Sequence, residues 1–441
     1  MYFVYSVLLS VAFLLMSPLF LLRRDKYAAG LSQRLGNYPA FEQDGRKVIW
    51  LHCVSVGEAN AARPLADALV NDFPGHRLIV STTTKTGQEL ASRIFAGRAD
   101  AIFYLPFDWK FSVRRALRRF EPTVILLLET EIWPRLIHEA KTSGVKVAIV
   151  NGRLSERSFS RYSQVGWLIR RVLWGIDAAL MQGANDANRL ISLGIPAAKA
   201  KVTGNMKFDI ADDPRDAEIA ADMNKRFRFD DGRPVIVAAS THDPEERWML
   251  DAFCSILAGE AKIKPRLVIA PRHPERFDDV ADLLRKFRDE EACEFKRYRV
   301  VRRSEEPGDA DAEADIILLD SIGELRSLYR LTSVAFVGGS LVPHGGQSVL
   351  EPAAAGNAII TGPHTFNFAD VISVFLANKA VIQLPEQANE AIPDDLFMHI
   401  SDLLEEPEEC SRLARSARAV MEANRGATEK TIAELRRLLT S

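Results

Sequence analysis

The sequence predicts an α/β protein: two Rossmann-like, doubly wound domains facing a cleft, behind an N-terminal transmembrane helix. Three observations carry this. Short apolar, β-branched runs alternate with longer amphipathic stretches, the pattern of parallel strands buried on both faces and joined by helices. The alternation occurs as two series, separated by a polar, acidic stretch at 209–233. Ahead of both lies a charge-free apolar run at residues 1–22.

That run, MYFVYSVLLSVAFLLMSPLFLL, stops at Arg23-Arg24-Asp25-Lys26. About 20 apolar residues span a bilayer core as a helix. A cleavable signal peptide would start with basic residues and end in a small-residue cleavage site. Here the basic cluster follows the apolar run, which predicts an anchor with the rest of the chain cytoplasmic. The alternative is a buried N-terminal helix.

In the first series the strand candidates are 47–53, 77–84, 101–105, 124–130, 145–150 and 178–182. In the second they are 234–240, 266–270, 315–319, 333–338, 358–361 and 380–383. Residues 400–439 read as helical. The expected division is an anchor at 1–22, one domain at 23–210 and a second at 211–441 that includes the terminal helices.

Apolar residues make up 47% of the 441, enough for two packed cores and too many for a disordered chain. Residues 1–210 hold 28 Lys and Arg against 17 Asp and Glu, and residues 211–441 hold 29 against 42. The basic first half suits an anionic membrane surface or acceptor; solvated charge with no target is the alternative. Cys53, Cys254, Cys293 and Cys410 form no CxxC pair and no zinc-finger spacing, so neither a disulfide nor a structural metal is expected. No GxxxxGK[ST] or GxSxG is present, which argues against P-loop ATPases and serine hydrolases.

In open α/β sheets, ligands bind at the carboxyl ends of the strands. Five polar segments fall there. Ser55-Val56-Gly57-Glu58 places a carboxylate in the first turn of a helix, where it can act as a base or complement the helix dipole. Glu129-Thr130-Glu131-Ile132-Trp133-Pro134 puts two acids at a buried strand's mouth, functional or an N-cap cluster. Thr203 to Asp209 carries Lys207, a cation for phosphate or carboxylate, or plain surface. Pro271-Arg272-His273 follows a strand, with an Arg suited to phosphate. Gly338-Gly339-Ser340 through Gly345-Gly346-Gln347-Ser348-Val349-Leu350-Glu351 runs from strand to glycine loop to helix start, an anion-binding arrangement. Arg114, Arg115, Arg118 and Arg119 share one helix side, for lipid phosphates or for solvent.

Read together, HCVSVGE (52–58), ETEIWP (129–134), NGRLSERS (151–158), TGNMKFD (203–209), APRHPERF (270–277), DSIGEL (320–325) and GGSLVPHGGQSVLEPAAAG (338–356) resemble the Kdo (3-deoxy-D-manno-octulosonic acid) transferases of lipopolysaccharide assembly. The resemblance implies the GT-B fold, with the acceptor on the first domain and the nucleotide sugar on the second. It implies inverting transfer of Kdo from CMP-Kdo to a lipid A precursor (lipid IVA) at the cytoplasmic face of the inner membrane. No cofactor, metal or nucleic-acid partner is implied. Glu58 takes the place of the general base, and Glu129 or Glu131, with Lys207, that of transition-state support. Donor contacts fall on Pro271, Arg272, His273, Ile322, Gly323, Glu324, Ser348, Val349, Leu350 and Glu351. The chain departs from the family at Ile322, where Met is common, and at GGQSVLE, where GGHNPLE is common. The alternatives are a GT-B transferase using another nucleotide sugar and a nucleotide-sugar epimerase of similar fold.

Overall fold

The computed structural model describes residues 1–22, 29–54, 56–210, 213–259, 264–289 and 298–440. The basic cluster at 23–26 and part of the expected junction, 211–212, lie outside them. The chain forms two compact units, Met1–Asp209 with Asn424–Ser441, and Ile210–Ala423.

The first unit is built on a seven-stranded sheet. Its strands are β1 (Lys47–His52), β2 (His76–Thr82), β3 (Ala101–Tyr104), β4 (Pro122–Leu128), β5 (Lys146–Gly152), β6 (Ala178–Met181) and β7 (Ala200–Val202). Their order is β3-β2-β1-β4-β5-β6-β7, and all pairs are parallel. Alternate residues feed two cores. Trp50, Ile79, Ile125, Leu127 and Ile149 pack on one face; Leu51, Val80, Leu126, Leu128 and Val150 pack on the other. The winding direction reverses between β1 and β4.

The second unit repeats the plan with β8 (Val235–Thr241), β9 (Arg266–Pro271), β10 (Val300–Arg302), β11 (Ile316–Leu318), β12 (Val334–Val337), β13 (Ala358–Thr361) and β14 (Ile382–Gln383). Their order is β10-β11-β9-β8-β12-β13-β14, again parallel throughout, with the reversal between β8 and β12. Every expected strand is present. The two additional ones, β7 and β10, are edge strands of three residues. Each includes a basic residue and is not fully buried, so neither shows as an apolar run.

The expectation of a spanning N-terminal helix is not supported. Residues Tyr2–Leu22 do form a helix. Among the described residues, however, no helix is long and apolar enough to cross a membrane. Instead, one side of this helix is fastened to the first unit. The Tyr5 hydroxyl donates to Asp108 at 2.9 Å, and Arg135 donates to the Tyr2 carbonyl at 2.8 Å and the Ser6 hydroxyl at 2.9 Å. Trp109 Nε1 donates to Ser10 Oγ, Phe13 meets Phe107 and Trp109 edge-on, and Tyr2 stacks on His138. Asp108 also accepts from the backbone N–H groups of Arg135 and Leu136, so a buried acid and a buried base form the dock. The opposite side, Phe3, Val4, Val7, Leu8, Val11, Leu14 and Leu15, is exposed, at 78% for Phe3 and 76% for Leu15.

The expected helices at the C-terminus form, but the last one belongs with the first unit rather than with 211–423. The helix Ala427–Thr440 buries Ala427, Ile432 and Leu435 in the core beside Leu65, Leu69 and Met206. Asp209 fixes its start, accepting from the Gly426 N–H at 2.7 Å and the Thr428 N–H at 2.6 Å. Cys53 and Cys410 are free thiols, whereas Cys254 is disulfide-bonded, contrary to the expectation of none.

Two substitutions measure what this returning helix contributes. Asp209→Ala, which removes a cap, is expected to lower stability by about 1 kcal/mol in denaturant unfolding. Leu435→Ala, which opens a cavity at a buried position, is expected to lower it by about 2–5 kcal/mol.

Candidate active site

In the first unit, the candidate residues gather where the sheet reverses direction. Glu58 lies in the first turn of the helix Val56–Ala61, just past β1, and is buried. Its Oε2 accepts from the Val54 N–H at 2.8 Å, which fixes the carboxylate at the strand mouth. Glu129 is the residue after β4. Burial pushes the Cys53 thiol well up, and the charges of Glu58 and Glu129 add to this, so both carboxylates bear on the end of β1.

Glu129 adopts φ +55°, and Asn151, near the end of β5, adopts φ +52°. Left-handed backbone at non-glycine residues is strained and concentrates at functional sites. The two are neighbours across the sheet, since Leu128 pairs with Val150 and the Glu129 N–H donates to the Val150 carbonyl at 2.9 Å. Lys207 sits on the 3₁₀ turn Met206–Phe208, which Asn205 caps by accepting from the Lys207 N–H. Its Nζ is 3.9 Å from Glu129 Oε1. Lys207 thus pairs with Glu129 and not with Glu131, whose carboxyl is pushed up by burial and then by Glu129.

Around this mouth, several buried polar atoms have no partner among the described residues: His52 Nε2, Thr130 Oγ1, Trp133 Nε1, Asn151 Nδ2 and Thr203 Oγ1. Such atoms are rare in folded proteins and call for a water or a ligand. Burial holds the His52 imidazole down at about 4, hence neutral at pH 7, with Nδ1 2.8 Å from the Ser81 hydroxyl.

The second unit has its own assembly at the ends of β8, β9 and β12. Pro271 closes β9; Arg272 and His273 follow, both exposed. The Arg272 backbone is fixed by donation to the Thr241 carbonyl, and its side chain makes no hydrogen bond or ion pair among the described residues. His273 lies 5.3 Å, ring to ring, from His242, which stacks on His344 at 4.5 Å. Burial, then the two neighbouring imidazoles, hold His242 at about 4.

Sequence reading missed the residues that organise this end. The fully buried Glu245 accepts four backbone N–H bonds: from Gly339 at 2.7 Å, Leu341 and His242 at 2.9 Å, and Ser340 at 3.0 Å. It pins the glycine loop to the helix Glu245–Ala258. A Cβ on Gly338 would stand 2.8 Å from this carboxylate. Glu246 accepts from Thr241 at 2.8 Å and from Arg276 at 2.7 Å, which ties down the loop after β9. The signal was the segment Thr241-His242-Asp243-Pro244-Glu245-Glu246, two acids in the first turn of a helix directly after a strand.

The remaining candidates are unequally disposed. Ile322 is 79% exposed, and Gly323 has φ +89°. Glu324 receives an Arg303 fork at 3.0 Å on both oxygens, which with Ser321 overcomes the effect of burial and holds the carboxyl low. Ser348 Oγ accepts from the Leu350 N–H at 3.3 Å, and Val349 and Leu350 are buried. The helix they open, Leu350–Ala355, has six residues, so its dipole is weak. Burial pushes the Glu351 carboxyl up, partly offset by Arg326. Arg114 is paired with Glu139 at 2.6 Å and Arg115 reaches Leu35 and Asn37, so the arginine face is partly engaged.

Comparison with known proteins gives this geometry a family. The family model for 3-deoxy-D-manno-octulosonic-acid transferase (kdotransferase) matches residues 29–210. A 3-deoxy-D-manno-octulosonic acid transferase of Haemophilus influenzae is 34% identical over 93% of this chain and 91% of its own. Among solved structures, MurG of Acinetobacter baumannii superposes with a TM-score of 0.55 at 13% identity, covering 89% of this chain and 99% of its own. The UDP-GlcNAc 2-epimerase of Neisseria meningitidis also reaches 0.55, at 14% identity over 89% of this chain and 100% of its own. These two likenesses show the fold: two parallel-sheet α/β domains in the order found in GT-B proteins. With relatives this similar over nearly its whole length, the chain belongs to the 3-deoxy-D-manno-octulosonic acid transferases, a family of glycosyltransferases.

Proposed function

We propose that the protein transfers Kdo from CMP-Kdo to a lipid A precursor, lipid IVA, with inversion at the anomeric carbon. The observation that carries the reading is the grouping of Glu58 and the Glu129–Lys207 pair where the first sheet reverses, in a chain of this family. Glu58 takes the proton of the acceptor hydroxyl as that oxygen bonds to the anomeric carbon. The bond from that carbon to the CMP phosphate breaks, and CMP leaves with the electron pair. Positive charge develops on the sugar in the transition state. Glu129 opposes that charge, and Lys207 holds Glu129 in place. On the second unit, the unengaged Arg272 side chain suits the departing phosphate, and exposed Ile322 offers an apolar surface to the base. No metal takes part in this scheme.

We further propose that the enzyme works on the inner-membrane surface, at its cytoplasmic face, with the helix Tyr2–Leu22 lying in the plane of the lipid. Its docked side faces protein, while the apolar side from Phe3 to Leu15 faces outward. Trp167 and Trp174 are exposed at 72% and 68% in and just after the helix Gly166–Leu173, whose Arg171 lies close enough to Tyr2 to oppose the rise that burial gives its hydroxyl pKa. An apolar face with interfacial Trp and basic side chains suits an anionic lipid surface.

Purified protein with CMP-Kdo and lipid IVA, followed by mass spectrometry, should yield acceptor heavier by Kdo. Glu58→Gln should lower kcat by about 10²–10⁴-fold; a variant that keeps most of its turnover removes Glu58 as the base. Transfer only from other nucleotide sugars would identify a different transferase, and interconversion of a free nucleotide sugar without acceptor an epimerase. Arg272→Ala should lower kcat/KM for the donor about 10–100-fold, the scale of a charge-assisted hydrogen bond. Leu8→Asp with Leu15→Asp should weaken binding to anionic vesicles at least about tenfold. Unchanged binding would count against the in-plane helix.

A further inference from the structure

Asn151 sits near the end of β5, beside Glu129 in the first unit's site, and takes no part in the scheme above. The residue is fully buried and holds φ +52°. Asn tolerates this backbone better than most residues, and Gly would tolerate it with less strain. The side chain must therefore contribute something that Gly cannot. One half of its carboxamide is explained: Oδ1 accepts from the Met206 N–H at 3.0 Å. That bond fixes the start of the 3₁₀ turn that presents Lys207. The other half is not, because Nδ2, a donor with two hydrogens, has no partner among the described residues.

A carboxylate at this position would supply the same acceptor to Met206 without stranding a donor. A carboxylate there would also be a buried charge beside Glu129, so the amide is the group that supplies the acceptor and a donor without that cost. Its surroundings define what it would meet. Lys207 is two residues along the chain from Asn205 and directly follows Met206, while Glu129 is the neighbour across the sheet, 3.9 Å from the Lys207 ammonium. The turn that Asn151 holds carries Lys207, and an amide donor together with a cation is a combination that recognises a carboxylate oxygen. The sugar in the reaction assigned above is a carboxylic acid.

We propose that Asn151 Nδ2 donates a hydrogen bond to the carboxylate of the acidic sugar during transfer, beside Lys207, an inference that rests on the reaction assigned above. Asn151 is then a specificity residue: it distinguishes a sugar acid from a neutral sugar of the same size. It acts from the first unit and not from the nucleotide-binding residues of the second.

The test uses the full chain with Asn151→Asp and Asn151→Gly beside the wild type, each checked for folding by thermal melting. Asp keeps the acceptor for Met206 and removes the donor. Expected at pH 8 is a loss of about 10²-fold in kcat/KM for the CMP-Kdo donor, with the KM for the lipid acceptor little changed. A buried Asp next to Glu129 titrates high. As the pH falls toward 6, the protonated carboxyl regains a donor, and Asn151→Asp should recover activity relative to wild type. A purely structural residue would give no such recovery. Asn151→Gly accepts the backbone without strain but removes both the acceptor for Met206 and the donor; it should lose at least about 10²-fold at every pH, and a Gly variant that keeps its activity excludes the donor role should the Asp variant fail to fold. Active wild type with either folded variant within threefold of it, or an Asn151→Asp pH profile that superposes on wild type, overturns this inference alone; Nδ2 then meets a buried water. A wild type that does not transfer Kdo overturns both this inference and the function on which it rests.

Discussion

Both sheets are covered on both faces, and this constraint governs where chemistry can happen. A parallel sheet wrapped by helices offers no open face for a charged side chain. Along β1, β4 and β8, nearly every position is buried and apolar, and polar groups must wait for the strand to end. At the two points where the winding reverses, the loops from neighbouring strands diverge and leave room. Glu58 and Glu129 occupy one such point; His242 and the Gly338–Ser340 loop occupy the other.

Room alone does not fix a side chain, and the two units fix theirs differently. The first uses backbone strain, with Glu129 and Asn151 side by side in left-handed conformation. The second uses a buried carboxylate. Glu245 is taken out of water at a cost, which four backbone N–H bonds offset in part. In exchange, a loop rich in glycine, whose own conformational freedom is large, is held in one shape.

Much of this was legible in the sequence, for identifiable reasons. The buried strands announce themselves as apolar runs, whereas β7 and β10 do not, because an edge strand need not be apolar. Glu58, Glu129 and Lys207 stand out as charged residues at strand mouths. Glu245 and Asn151 do so less, since most of the backbone they bond lies far along the chain, although Glu245 stands in an acidic first turn just after β8 and Asn151 opens NGRLSERS. The N-terminal helix shows the limit of hydropathy. Tyr2, Tyr5, Ser6 and Ser10 carry no charge, so the run read as uniformly apolar. Their partners, Asp108 and Arg135, are about a hundred residues away. Only their convergence reveals that one side of the helix is committed to protein.

The return of the last helix to the first unit affects the order in which the chain can fold. The second unit is one continuous segment, Ile210–Ala423, and is complete in sequence once residue 423 has emerged from the ribosome. The first unit, though begun earlier, lacks Ala427, Ile432 and Leu435 until the chain beyond residue 423 has been made. Until then, the apolar surface around Leu65 and Leu69 stays open to water or to a chaperone. Synthesis normally favours the N-terminal domain. Here the later-made unit can close first, and the earlier one waits for residues 424–440.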